Sequence, residues 1–250
     1  MQRNNNTMIV LPSQFNEENI KYSDVKVLSN GGKSVYITYN HNLLIMQTPK
    51  MYIPYGVNKY EEPGKPNKYN LHLSFRGKEE NGLVNEFYET MSRFDKKIIQ
   101  DAMTNSISWF KKKTVSSEYL QDAYKPLVKF SKSEGGEYID KYPPTITIKL
   151  PYRDGAFTCD VYNKKKEKVE NCDLEQILTK GCKVQVLMQC MGLWFAGTSF
   201  GCSWKVLQMK LEELPNKITG FSFLPQGEDD DEEEETGLVH DSDEDLVEQD

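Results

Sequence analysis

The chain of 250 residues contains 14 Tyr, 11 Phe and 3 Trp, with 38% hydrophobic and 28% charged residues, which suits one large globular domain or two small ones. No apolar run approaches the roughly 18 residues of a membrane helix, and Met1–Asn6 lacks the apolar core of a signal peptide, so a soluble intracellular protein with no membrane partner is expected. The formal charge of -7 conceals two opposed parts: Glu228–Asp250 holds 14 acidic residues and no Lys or Arg, so the other 24 acids face all 31 basic residues and the body is +7.

In chain order, Thr7–Leu11, Asp24–Leu28, Lys33–Tyr39 and Leu43–Gln47 are short β-rich runs, and Asn30-Gly31-Gly32 marks a hairpin between the second and third. Pro54–Lys68 is a loop rich in Pro, Gly, Asn and Lys, long enough to suggest a binding role. Leu71, Leu73 and Phe75 then alternate with Asn70, His72 and Ser74 as in a half-exposed strand. Leu83, Phe87, Met91, Phe94, Ile98 and Ala102 recur at three- and four-residue spacing and predict a core-facing helix. A shorter helix over Ser116–Ala123 follows, opened by Ser116 or Ser117. Strands return at Thr145–Leu150 and Ala156–Tyr162, and Asp173–Thr179 reads as a short helix ended by Gly181. Cys182–Phe195 and Ser203–Leu211 form the longest hairpin, around a Gly197–Gly201 turn. The expected fold is mostly β with an inserted helix over residues 1–226, followed by a disordered acidic tail over 227–250.

Several chemistries are missing. Asn30–Ser34 imitates the end of a phosphate-binding loop, but Val27 stands where its first Gly is required and a strand former follows instead of a helix. Cys159, Cys172, Cys182, Cys190 and Cys202 form no C-x-x-C pair, and His41, His72 and His240 fit no metal or triad spacing. No catalytic residue, metal or cofactor is expected, and the chain is read as a binding protein and not an enzyme.

Cations interleaved with aromatics are present: Lys50 with Tyr52 and Tyr55, Lys59-Tyr60, Lys65, Lys68, Phe75-Arg76, and Trp109-Phe110-Lys111-Lys112-Lys113. Single-stranded nucleic acid calls for this combination, because phosphates need cations and unpaired bases need flat π surfaces. The acidic tail supplies a flexible polyanion able to occupy a basic groove, and its Leu238-Val239 and Leu246-Val247 dipeptides could dock on partners.

Four blocks, LLIMQTPKMYIPYG (Leu43–Gly56), SWFKKK (Ser108–Lys113), TITIKLP (Thr145–Pro151) and LWFAGTSFGCSWKVLQMKL (Leu193–Leu211), resemble the single-stranded-DNA-binding proteins of nucleocytoplasmic large DNA viruses, a group with a homologue in African swine fever virus. The acidic C-terminus also resembles those of phage and bacterial proteins with that function. The resemblance implies an OB-fold core, a small β-barrel whose open face takes single strands. A body of this length far exceeds a minimal OB-fold, so much of it must be elaboration. The expected function is to coat single-stranded DNA during viral replication, repair or recombination. Phosphates would meet Lys50, Lys59, Lys65, Lys68, Arg76, Lys111, Lys112 and Lys113, and bases would stack on some of Tyr52, Tyr55, Tyr60, Trp109 and Phe110. Viral replication proteins are the expected tail partners, and the host cytoplasm, with nucleus or virion as alternatives, is the expected location. The rival readings are a virion structural or packaging protein and an RNA-binding regulator.

Overall fold

Two-residue alternation organises the barrel wall. In the strand Lys68–Ser74, Tyr69, Leu71 and Leu73 are buried, and in Thr145–Leu150 the buried set is Ile146, Ile148 and Leu150. The antiparallel register places these sets opposite one another, Tyr69 against Leu150, Leu71 against Ile148 and Leu73 against Ile146. The computed structural model describes residues 8–29, 31–133, 135–139, 141–170 and 173–213. Contacts divide the chain into Met1–Pro215 and Asn216–Asp250, and the described residues all lie in the first unit. The expected acidic tail lies outside the described residues.

Five strands close into a ring. Met51–Tyr52 pairs with Lys68–Ser74, which pairs with Thr145–Leu150. That strand pairs with Ser199–Glu213, then comes Lys183–Ala196, which returns to Met51–Tyr52. Every pairing is antiparallel except Thr145–Leu150 with Ser199–Glu213, which is parallel and spans the connection carrying Lys183–Ala196. A five-stranded closed ring with this single parallel contact has the architecture of an OB-fold, and the fold is mostly β and OB-fold-like, as expected. Ile45–Gln47 and Lys33–Val35 extend the sheet by pairing along Lys183–Ala196.

The helix Gly82–Thr104 is inserted between the second and third strands of the ring. The Asn81 side chain accepts hydrogen bonds from the N–H groups of Leu83 and Val84, which would otherwise lack partners at the helix start. Phe87, Met91, Phe94, Ile98 and Ala102 are all buried, as the spacing predicts. Leu83 is not: it is 65% exposed, and Val84 occupies the inward position of the first turn instead. Phe94 meets Trp204 edge to face at 5.7 Å, and Phe75 packs on Phe87 at 5.5 Å, so the helix closes one side of the barrel core. On the same buried stripe sits Asp95. Its carboxylate accepts hydrogen bonds from the Tyr124 hydroxyl at 2.6 Å and from the N–H groups of Leu127 and Val128 at 3.0 and 3.2 Å. This clamp holds the segment running into the strand Val128–Lys129, which pairs with Thr145–Leu150.

The long hairpin departs from expectation at its tip. Ala196 pairs with Ser199 and Trp194 with Gly201, so the turn is Gly197-Thr198 alone and Gly201 lies inside a strand. A side chain at Gly201 would come within 2.8 Å of the Trp194 ring, so its absence lets the indole lie across the strand. Gly192, at φ +94°, follows a register shift, and a Cβ there would stand 2.3 Å from the Val35 carbonyl oxygen. Other differences are local. Lys33–Tyr39 breaks at Tyr36, and Ile37–Tyr39 pairs with Ile20–Tyr22 in a separate sheet. Val57–Tyr60 forms a strand against Lys68–Ser74, which shortens the expected Pro54–Lys68 loop to 61–67.

Replacing Phe87 or Met91 by Ala should cost about 2–5 kcal/mol in denaturant unfolding, because each empties a filled position under the barrel. Asp95 generates a pH-dependent term. Burial raises its carboxyl from 3.8 to about 6 despite the opposing hydrogen bonds from Tyr124, Leu127 and Val128. The folded state therefore holds a proton that the unfolded chain has released between those values, so stability declines as pH rises from about 4 to about 6 and is flat above. The span is about 3 kcal/mol at 1.36 kcal/mol per pH unit. Unfolding midpoints of wild type and Asp95→Asn across pH 4.5–7.5 should converge on the acid side and separate towards neutrality.

Candidate functional site

Burial of one strand face turns the other outward, and the register aligns the outward residues in rows across the barrel, Ser74 alone among them being covered by its neighbours. Tyr60 stands opposite Lys68. The next row runs Asn58, Asn70, Lys149, Lys205, and a later one Lys183, Tyr52, Ser74, Thr145, Lys129. Between these two lie His72 and Thr147, whose Nδ1 and Oγ1 are 3.3 Å apart. Residues two apart on a strand are separated by about 7 Å, so the rows repeat at that interval. Tyr55, 61% exposed, meets the His72 ring edge to face at 5.8 Å.

Part of the charge on this face is uncompensated among the described residues. Arg76, Lys129, Lys149 and Lys205 have no acidic partner within ion-pair distance among the described residues. Partial withdrawal from water, reinforced by the charge of Lys129, holds His72 below its usual range. Lys149 is also depressed, first by withdrawal from water and then by Lys68, and Lys129 by withdrawal from water. Each shift disfavours the cationic form, and an anion laid across the rows would relieve it.

The residues expected from sequence separate into groups. Lys50 is committed elsewhere: it forms a 2.9 Å ion pair with the buried carboxylate of Glu212, which Lys210 also contacts at 2.6 Å. Burial pushes the Glu212 carboxyl up, but the Lys210 and Lys50 hydrogen bonds outweigh it and hold the group below the usual range. Trp109 is a correction. At 2% exposure it packs on Tyr22 and Phe195, and no face is left for a base. Phe110 is half-buried between Trp109, Phe195 and Phe200. Lys111 adopts φ +59° to end the short helix Ser106–Phe110, Lys112 lies 4.2 Å over the Tyr119 ring, and the Lys113 carbonyl accepts from Ser106. Lys59 pairs with Glu61, and Lys65 and Lys68 both reach Glu62. These pairs are exposed and worth little, so a phosphate can exchange for the carboxylate. Tyr52, Tyr55, Tyr60, Lys68 and Arg76 are brought together on or beside the open face.

Asn70, His72, Lys129, Lys149, Lys183 and Lys205 complete the face and were not among the expected site residues. The Thr-Ile-Thr-Ile-Lys alternation does predict an outward Lys149, but the partners of that strand come from far along the chain. A cavity of about 640 Å³ beside Tyr152 and Phe157 is bordered by Asp160, Glu170, Asp173 and Glu175, the wrong sign for phosphate. Among the described residues no group of His, Cys, Asp and Glu could hold a metal ion, and no helix is long and apolar enough to cross a membrane.

Exchanging cations by location should separate their roles. Lys149→Gln or Lys205→Gln should alter stability by no more than about 0.5 kcal/mol. Lys50→Gln weakens the partnership of a buried carboxylate and should cost about 1–3 kcal/mol. Thermal unfolding of the three variants reads this directly.

A family model described as a family of unknown function, DUF5871, matches residues 80–222, and the chain belongs to that family. The uncharacterized protein L291 of Acanthamoeba polyphaga mimivirus is 27% identical over 173 residues, covering 67% of this chain and 26% of its own length. The chain thus spans about a quarter of that curated relative. Among solved structures, the single-stranded DNA-binding protein from bacteriophage Enc34 in complex with ssDNA is similar at 12% identity and TM-score 0.43, over 80% of this chain and 96% of the other. Gp2.5, a single-stranded DNA binding protein encoded by bacteriophage T7, is similar at 12% identity and TM-score 0.41, over 69% of this chain and 93% of the other.

Proposed function

We propose that this DUF5871 protein binds single-stranded DNA with little regard to base sequence and carries out no catalysis of its own. The observation that carries the reading is the open barrel face, where Arg76, Lys129, Lys149 and Lys205 stand without acidic partners among the described residues, around the exposed Tyr55 ring and the half-buried His72. Phosphates neutralise those cations, and an unstacked base finds the Tyr55 ring, with Tyr60 as a second surface beside Lys68. A duplex keeps its bases stacked inside and cannot use these rings, so the face favours single strands. The mimivirus relative supports a role in a large DNA virus, where the protein would coat strands exposed during replication, repair or recombination at the cytoplasmic replication site. Residues 228–250, with 14 acids and no base, would compete for the same cations and recruit replication proteins through Leu246-Val247.

Gel shifts with single-stranded DNA, duplex DNA and RNA of equal length test the reading. Single-stranded DNA should bind tightest, and its affinity should fall with salt by about 0.7 log unit per log unit for each phosphate neutralised. Equal affinity for duplex, or a flat salt dependence, would sink it, and preference for RNA would favour an RNA-binding regulator. Removing residues 228–250 takes the formal charge from -7 to +7. Truncation should tighten binding at low salt, with the gain shrinking as ions screen the tail. Identical isotherms at low salt would leave the tail no competitive role.

A further inference from the structure

Tyr52 was expected to stack on a base, but its surroundings suit a different task. The Lys183 ammonium lies 4.7 Å from the centre of the Tyr52 ring and 3.4 Å from its hydroxyl oxygen. The Arg76 guanidinium lies over the same ring at 5.6 Å. Residues 52, 76 and 183 are far apart in sequence and meet because Tyr52 is paired on one side with Lys183 and on the other with Ser74. The Ser74 hydroxyl accepts from the Arg76 N–H at 3.2 Å, which fixes the backbone from which the guanidinium turns back. Ring faces attract cations through their quadrupole, so an aromatic ring can hold two like charges closer than water would.

We infer that Tyr52 is the floor of a phosphate clamp: it gathers Arg76 and Lys183 to grip one backbone phosphodiester, and it does not stack on a base. This rests on the single-strand reading above and divides labour within that site. Tyr55 has its ring exposed and in edge contact with His72, so base stacking falls to it. The Arg76 fork supplies paired donors to a phosphate, and Lys183 supplies a point charge beside it. The clamp lies on the row that ends at Lys129, so a strand held there can continue past Thr145 towards a further cation.

The full-length chain, labelled oligothymidylate and an abasic phosphodiester of the same length test the clamp in salt titrations. Tyr52→Ala should weaken both ligands by the same factor and flatten the salt slope by about 0.7. Tyr52→Phe, which keeps the ring, should retain most of the affinity and the slope. Tyr55→Ala should weaken only the base-bearing strand, about 5- to 150-fold, with the slope unchanged. If Tyr52→Ala melts early, the Arg76→Gln/Lys183→Gln pair replaces it and must flatten the slope alike. Loss confined to the base-bearing strand with an unchanged slope, in either variant, would make Tyr52 a stacking platform and overturn the clamp. A wild type that binds the abasic strand and duplex as well as oligothymidylate, with Tyr52→Ala still flattening the slope, would keep the clamp and discard the single-strand reading. A wild type that binds neither single strand overturns both.

Discussion

Closure of the five-stranded ring depends on one long strand serving several partners in turn. Lys183–Ala196 pairs with Met51–Tyr52 near its start, Ile45–Gln47 in its middle and Lys33–Val35 near its end, while Ser199–Glu213 runs along its other edge. A regular strand cannot follow a closing barrel over such a length, and register shifts supply the bends. Gly192 is the sharpest of these positions, since any side chain there would meet the Val35 carbonyl. With the ring closed, Ser199–Glu213 lies beside Thr145–Leu150 and Lys205 meets Lys149, which creates the acid-free row.

The inserted helix acts on the same face from behind. Its Asp95 clamps the backbone of Leu127 and Val128, and the next residue, Lys129, emerges on the outer surface opposite Thr145. A buried carboxylate with three donors is costly to desolvate, yet it fixes where a surface cation stands. The lysines separate by the same logic: Lys50 secures the end of a barrel strand through Glu212, and Lys149 and Lys205 carry charge that nothing in the described structure balances.

The periodic parts of this architecture were legible in the sequence. The stripe from Phe87 to Ala102, the strand Thr145–Leu150 and the cap at Ser116 emerge almost as their spacing predicts, because each is decided by neighbours within a few residues. The OB-like ring came from family resemblance, since pairing between residues 149 and 205 leaves no local trace. The site was partly legible for the same reason. Composition picks out cations and rings, but only the packed fold shows that Trp109 turns inward and that Arg76 and Lys183 both reach the Tyr52 ring. The acids that occupy Lys59 and Lys65 sit two and three residues away, at Glu61 and Glu62, and were readable by charge pattern alone.

The single parallel contact of the ring also sets the order in which the molecule can be made. Thr145–Leu150 acquires its partner along one edge from Lys68–Ser74 early in synthesis, but its other edge waits for Ser199–Glu213, the last element of the barrel to leave the ribosome. Until then an apolar-faced strand carries an open edge, the feature that invites pairing with another chain. Such long-range closure is slow, and the nascent chain is most exposed to misassembly just before the final hairpin appears. The short strand Val128–Lys129, which pairs with Thr145 and Ile146 and is held by Asp95, covers part of that edge from within the chain during the wait.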